Sequence, residues 1–180
     1  MSRVVVFLAD GFEEVEAVTV IDYLRRAGVK VVTTGIGTPM PTGARGIRIA
    51  SDIEIEALDE MPDGIVLPGG MPGSANLAAS GKVGDIAHSV MKNENMVAAI
   101  CAAPALALGG FGLLKNRKYT CFPGFEKSLT EGEFLNERVV VDHNLITSQG
   151  AGTAGEFAIA IIRYLVGDAA AEAIAQGVLL

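Results

Sequence analysis

Cys101 and Glu16 are the residues of this sequence whose types and settings could do chemistry together. Cys101 lies in Ala98-Ala99-Ile100-Cys101-Ala102-Ala103-Pro104, where an apolar run of strand character meets a proline preset for a first helical turn. A cysteine at such a bend faces free main-chain N–H groups and the positive end of a helix dipole. That setting favours thiolate and draws the thiol pKa below its reference of ~8.5. A thiolate adds to electrophilic carbon and oxidises readily. The same spacing also suits a packed core cysteine, since unmodified Cys is among the most buried residue types. Spacing alone leaves both readings open.

Glu13, Glu14 and Glu16 cluster where a helix begins. Acids there complement the helix dipole by ~0.3–1 kcal/mol each, which accounts for Glu13 and Glu14. Glu16 sits a turn further in, between Val15 and Ala17 and beside the apolar stripe. Partial burial there would raise its pKa, and next to a thiolate the two groups would share one proton and titrate as a unit. Gly69-Gly70 removes side chains where main chain must approach something closely. The pair makes either an ordinary tight turn or, with the Gly70 and Ala102 N–H groups, an oxyanion hole. His88 and His143 fall on an outer helix face and a hairpin tip. Neither is placed to serve Cys101 as a base, which disfavours a Cys-His hydrolase.

Strands and helices alternate from the start of the chain, which predicts an α/β fold with a mostly parallel sheet covered on both faces. Val4–Ala9 reads as a buried strand. Ala17, Val20, Ile21, Leu24 and Ala27 then mark a helix that Gly28 ends, and Val29–Thr34 makes the next strand. Gly35–Gly46 is a surface excursion, with short flanking strands expected at Ile47–Ala50 and Ile53–Ile55. Ile65–Leu67 is a strand, Val83–Lys92 a helix, and Tyr119–Phe122 a further strand. Arg138–Asp142 and Leu145–Ser148 form a hairpin turning at His143-Asn144. A long helix follows with Ala154, Phe157, Ala158, Ile161, Ile162 and Leu165 on one stripe, opened by a capping box of Thr153 and Glu156. Residues 168–177 form a short terminal helix. Ligands gather at the carboxyl ends of strands in such sheets, so the loops at Asp10–Glu16, Pro68–Gly70 and Cys101 are expected to meet.

The 180 residues suffice for one domain spanning 1–180 and are too few for two ordinary ones. A net charge of −7 argues against nucleic-acid partners and against anionic membrane. Cys101 and Cys121 show no ligand spacing with the two histidines, so no metal site is expected. The first residues lead straight into a strand too short for a secretory core. Met96–Leu114 is uncharged, yet Pro104 and three glycines divide it into strand and helix, so no membrane span is read there. The expected location is the cytoplasm.

Gly-Phe-Glu-Glu-Val-Glu-Ala (11–17), Leu-Pro-Gly-Gly-Met-Pro-Gly (67–73), Ala-Ile-Cys-Ala-Ala-Pro (99–104) and Thr-Ser-Gln-Gly-Ala-Gly-Thr (147–153) together resemble the ThiJ/PfpI superfamily, closest to its parkinsonism-associated (DJ-one) branch. The resemblance covers nearly the whole chain and implies a flavodoxin-like three-layer sandwich and a homodimer. It matches Cys101 to the family's reactive cysteine, Glu16 to the glutamate that hydrogen-bonds it, and Gly70 and Ala102 to its main-chain donors. Arg45 matches an arginine at the dimer interface. Two departures stand out: Phe122 replaces a histidine found in some relatives, and Ala102 replaces the histidine of the protease-like branch. Proteolysis is therefore disfavoured, as is amide hydrolysis, which needs a later catalytic histidine.

What the resemblance implies is a cofactor-free, glyoxalase- or deglycase-like lyase or hydrolase for small aldehydes or dicarbonyls such as methylglyoxal, in carbonyl and oxidative stress defence. Two alternatives stand beside it. One is a redox sensor working through Cys101 oxidation. The other is a redox-regulated holdase chaperone, which needs an exposed apolar patch above roughly 400 Å².

Overall fold

The computed structural model describes residues 2–180. Its elements run β1 (Arg3–Ala9), α1 (Glu14–Arg26), β2 (Lys30–Ile36), β3 (Ile53–Glu54), β4 (Gly64–Leu67), α2 (Gly73–Ala79), α3 (Gly81–Lys92), β5 (Met96–Ile100), β6 (Lys118–Tyr119), β7 (Glu133–Phe134), β8 (Val139–Asp142), β9 (Leu145–Ser148), α4 (Ala154–Val166) and α5 (Asp168–Gly177). Seven strands form one sheet in the order β3-β2-β1-β4-β5-β9-β8, parallel except for the β8–β9 hairpin at one edge.

Strand alternation divides the core between the two faces of this sheet. Val4, Val6 and Leu8 of β1 pack with α1, α4 and α5, while Val5, Phe7 and Ala9 pack toward α2, α3 and the segment after β5. Both faces are covered, which is why β1, β4 and β5 read as unbroken apolar runs. On the first face Ala17, Val20 and Leu24 of α1 meet Phe157, Ala158, Ile161 and Ile162 of α4. Each large side chain so buried contributes about 1.5–3 kcal/mol. The result is the expected three-layer α/β sandwich. Among the described residues no helix is long and apolar enough to cross a membrane.

Several local expectations fail for identifiable reasons. Ile47–Ala50 is no strand: one bridge joins Thr42 to Arg48, and Ile47, Arg48 and Ala50 stay exposed. The flanking strand at 53–55 shortens to Ile53–Glu54 and passes into a 3₁₀ turn over Ile55–Ala57. Of the expected 119–122 strand only Tyr119 lies in a strand, the two-residue β6 of Lys118–Tyr119, and that pairs with β7 outside the central sheet. Beyond it the Phe122 N–H donates to the Cys101 carbonyl (2.8 Å) instead of continuing a ladder. The Thr153–Glu156 capping box does not form. Thr153 Oγ1 bonds to Gly150 and lies 2.6 Å from Ser148 Oγ, while Glu156 accepts from Arg138 at 2.7 Å. Helix α2 was not expected, because a short run of Gly, Ser, Asn and Ala carries almost no apolar period.

Candidate active site

The chain leaves β1 toward β2 and β3 on one side, then crosses back to β4 and β5 on the other. Adjacent strands therefore send their connections apart at the β1–β4 boundary, the crevice where ligands settle in open parallel sheets. Three loops meet there, as the sequence predicts. Glu16 comes from the first turn of α1, Gly69 and Gly70 follow β4, and Cys101 follows β5.

Cys101 has φ of 64°, a left-handed conformation that costs a side-chain-bearing residue about 1–2 kcal/mol. Main-chain bonds on both sides hold it: its N–H donates to Ser148 O at 3.0 Å, and its carbonyl accepts from Phe122. The chain then turns at once into a helix with Pro104 in its first turn. Over Pro104–Leu108 that expected helix is π-wound. The elbow brings the Gly70 and Ala102 N–H groups to the sulfur, where both favour its ionised form.

Glu16 is 1% exposed. Its Oε2 accepts from the Gly69 N–H at 2.8 Å, and its Oε1 is buried without a hydrogen-bond partner among the described residues. Gly69 is required here: a Cβ on it would run into the Cβ and Sγ of Cys101 and into Glu16 Oε2. Gly70 has φ of 91°, and a Cβ there would strike main-chain atoms of Gly11, Phe12 and Glu13. The double glycine is therefore the consequence of three loops closing on one another.

Burial pushes the Glu16 carboxyl up to about 7, against the pull of the Gly69 N–H and of Cys101. Burial likewise pushes the Cys101 thiol up to about 12, with the Glu16 charge as the second cause, outweighing the Gly70 and Ala102 N–H groups. The expectation of a thiol drawn below ~8.5 by donors alone is thus corrected: desolvation and a neighbouring carboxylate exceed them. What the two shifts have in common is that each group is a cause of the other's. Between about 7 and about 12 the pair carries one negative charge and one proton, and moving that proton from sulfur to oxygen changes no net charge.

The site opens into a pocket of about 360 Å³ that includes Cys101, Glu16, Gly70 and Ala102. Met71, Phe122 and Ala151 line it, and so do Ala44 and Phe125, which the sequence did not single out. Phe122 and Phe125 form an edge-to-face pair with centroids 6.3 Å apart. Arg45 sits at the mouth with its side chain exposed, 3.9 Å from Glu13 Oε2. Glu14 exceeds its expected dipole role. It is 5% exposed, and its Oε1 accepts from the Arg45 and Ile47 N–H groups at 2.7 and 3.2 Å, pinning the loop that carries Arg45. The signal for this was Gly43, where a Cβ would occupy the place of the Glu14 carboxyl. His88 and His143 are exposed and outside the pocket, as expected.

A parallel α/β sandwich with a left-handed cysteine at a strand-to-helix elbow and a buried glutamate against it defines a narrow class of proteins. The chain belongs to the DJ-1/PfpI family, whose model matches residues 2–164, and within it to the DJ-1 branch. It is 41% identical over 167 residues to Protein DJ-1 homolog B of Arabidopsis thaliana, covering 92% of this chain but only 38% of that relative's length. It is 33% identical to the glutathione-independent glyoxalase DJR-1.2 of Caenorhabditis elegans, covering 92% of this chain and 89% of the relative. The crystal structure of Drosophila melanogaster DJ-1beta is similar with a TM-score of 0.95 and 36% identity, covering 100% of this chain and 99% of that one.

Proposed function

We propose that the protein is a cofactor-independent enzyme that converts small 2-oxoaldehydes to 2-hydroxy acids. The observation that carries this reading is the Cys101–Glu16 pair at the pocket floor, a partly exposed thiol beside a buried carboxyl, with two main-chain donors on the sulfur. Similarity to a relative named a glutathione-independent glyoxalase supports it.

The proton moves from sulfur to Glu16, and the thiolate adds to the aldehyde carbon. The resulting oxygen is protonated to a hemithioacetal, held by the Gly70 and Ala102 N–H groups. Glu16 removes the proton on that carbon, the hydroxyl proton passes to the neighbouring carbonyl oxygen as the enediolate forms, and Glu16 returns its proton to the adjacent carbon. This leaves a thioester of the 2-hydroxy acid on Cys101. Water cleaves the thioester, releasing the acid and restoring the thiol, so the sum is substrate plus water giving product. A carboxyl near pH 7 suits both proton-accepting and proton-donating steps.

Cys101→Ala should abolish formation of lactate from methylglyoxal, and Glu16→Ala should reduce it about 100-fold or more. Unchanged lactate production in both variants would overturn the reading. The partner we propose is a second copy of the chain. Val15 and Val18 of α1 lie exposed, as do Ile47 and Arg45 in the loop that Glu14 pins.

A second reading, redox sensing in the same site, is favoured by the contrast in exposure between the thiols. Cys101 is partly exposed at a pocket and Cys121 is buried. A protonated Glu16 would donate to a sulfinate oxygen and hold oxidation at that stage. Mild peroxide should add about 32 Da, two oxygens, at Cys101 alone. Equal modification of Cys121 would count against it.

A further inference from the structure

The pocket is polar at its floor and apolar on its walls, and the walls have a direction. Phe122 and Phe125 stand edge to face on one side, and Met71 and Ala151 add apolar surface. Phe122 is 47% exposed and Met71 51%, a large share for apolar side chains, and Phe122 is the one phenylalanine among the described residues left exposed while Phe7, Phe12 and Phe157 are fully buried and Phe111, Phe125 and Phe134 partly so. The ring is held in place from below: the Phe122 N–H donates to the Cys101 carbonyl, so the aromatic wall and the elbow are joined by one main-chain bond of 2.8 Å. It also flanks the acid. A Cβ at Gly150 would lie 3.4 Å from Phe122 Cδ2 and 3.9 Å from Glu16 Oε1, so ring edge and carboxyl oxygen border the same point. A compound bonded to Cys101 and reaching Glu16 therefore has its substituent beside this ring.

We infer that the Phe122–Phe125 pair is a specificity wall that selects carbonyl substrates bearing a large apolar, flat or branched substituent over those bearing a small one or none. The inference rests on the proposed carbonyl chemistry for its substrate class, but the wall itself is a statement about what approaches the sulfur. A substituent lying on Phe122 buries apolar surface that the free protein leaves in water, and an aromatic substituent adds favourable ring–ring geometry. A polar or absent substituent gains neither. Phe122 carries no proton, so its part is recognition only.

Two arms test this. In the first, kcat/KM is measured for phenylglyoxal and for methylglyoxal in the wild type, Phe122→Ala and Phe125→Ala. The expected result is a preference for phenylglyoxal that falls about tenfold in Phe122→Ala and less in Phe125→Ala. In the second arm, which needs no turnover, intact mass follows alkylation of Cys101 by N-benzyl iodoacetamide against iodoacetamide. The benzyl reagent should be favoured in the wild type, and the preference should collapse in Phe122→Ala. Phe122→Leu, which keeps apolar volume without a flat face, should retain part of it and guards against a folding artefact. Absence of turnover on every 2-oxoaldehyde, with the alkylation preference lost in Phe122→Ala, would sink the enzymatic reading and uphold the wall. Identical reagent ratios in wild type and Phe122→Ala would overturn the wall.

Discussion

Cys101 and Cys121 belong to opposite faces of the sheet, and comparing them separates burial from reactivity. Both thiols are pushed up to about 12, with burial as the first cause in each. Cys121 is 0% exposed among Tyr119, Leu145 and their neighbours, a small apolar residue in a packed layer. Cys101 pairs its burial with a left-handed backbone that turns it into a pocket, two main-chain donors where Cys121 has one from Glu126, and a buried carboxyl at the sulfur, whereas the Glu126 charge near Cys121 belongs to a residue partly exposed to water. Burial alone silences a thiol. Burial beside a weaker base that sits within reach gives the Cys101 proton somewhere local to go.

The largest break in this comparison comes from exchanging the cysteines for alanine. Cys101→Ala should lower 2-hydroxy acid formation at least about 1000-fold, whereas Cys121→Ala should keep the activity and lose about 1 kcal/mol of stability. Parallel activity assays and urea melts check both.

The next effect is on stability. Glu16 has its folded pKa raised from 4.5 to about 7, so the folded state binds more protons than the unfolded state across that window. Stability therefore falls as pH rises from 4.5 to 7 and stays reduced above it, by about 3 kcal/mol when fully expressed. Glu16→Gln removes that dependence. The variant should match the wild type near pH 4 and exceed it at pH 8, read from urea midpoints at the two pH values. A wild type equally stable relative to the variant at both would contradict the burial of a charge at this position.

The smallest effect is at Glu13. Its charge contributes to raising Glu16 from a distance, so Glu13→Gln should shift the first ionisation of the pair slightly downward. The acid limb of the kcat/KM profile reports it.

Much of the framework was legible from period alone. The α1 stripe, the β8–β9 hairpin at His143-Asn144 and the terminal helix over 168–177 follow from local spacing, and the structure places them so. The strand at 119–122 was not legible, because its main chain bonds to Cys101, a partner set by tertiary folding. The capping box failed for the same reason, with Ser148 and Arg138 drawing Thr153 and Glu156 elsewhere. At the site, Cys101, Glu16, Gly70 and Ala102 could be picked out from chain order and resemblance. The sign of the Cys101 shift could not, since it is a balance of donors against desolvation and one neighbouring charge, and burial has no local signature. Phe125, opening a short 3₁₀ turn over Phe125–Ser128, and Ala44, on a loop, reach the pocket from segments with no periodicity to announce them.

The shared proton is tested most directly by the pH dependence of Cys101 alkylation in the wild type and in Glu16→Gln, followed by mass at that residue. The wild type should gain reactivity in two steps, the first near pH 7 as the pair loses its first proton and the second toward 12. Glu16→Gln should lose the step near 7 and show a single rise at higher pH. One inflection near the ordinary thiol value of ~8.5, identical in both proteins, would contradict the coupling of Cys101 to Glu16.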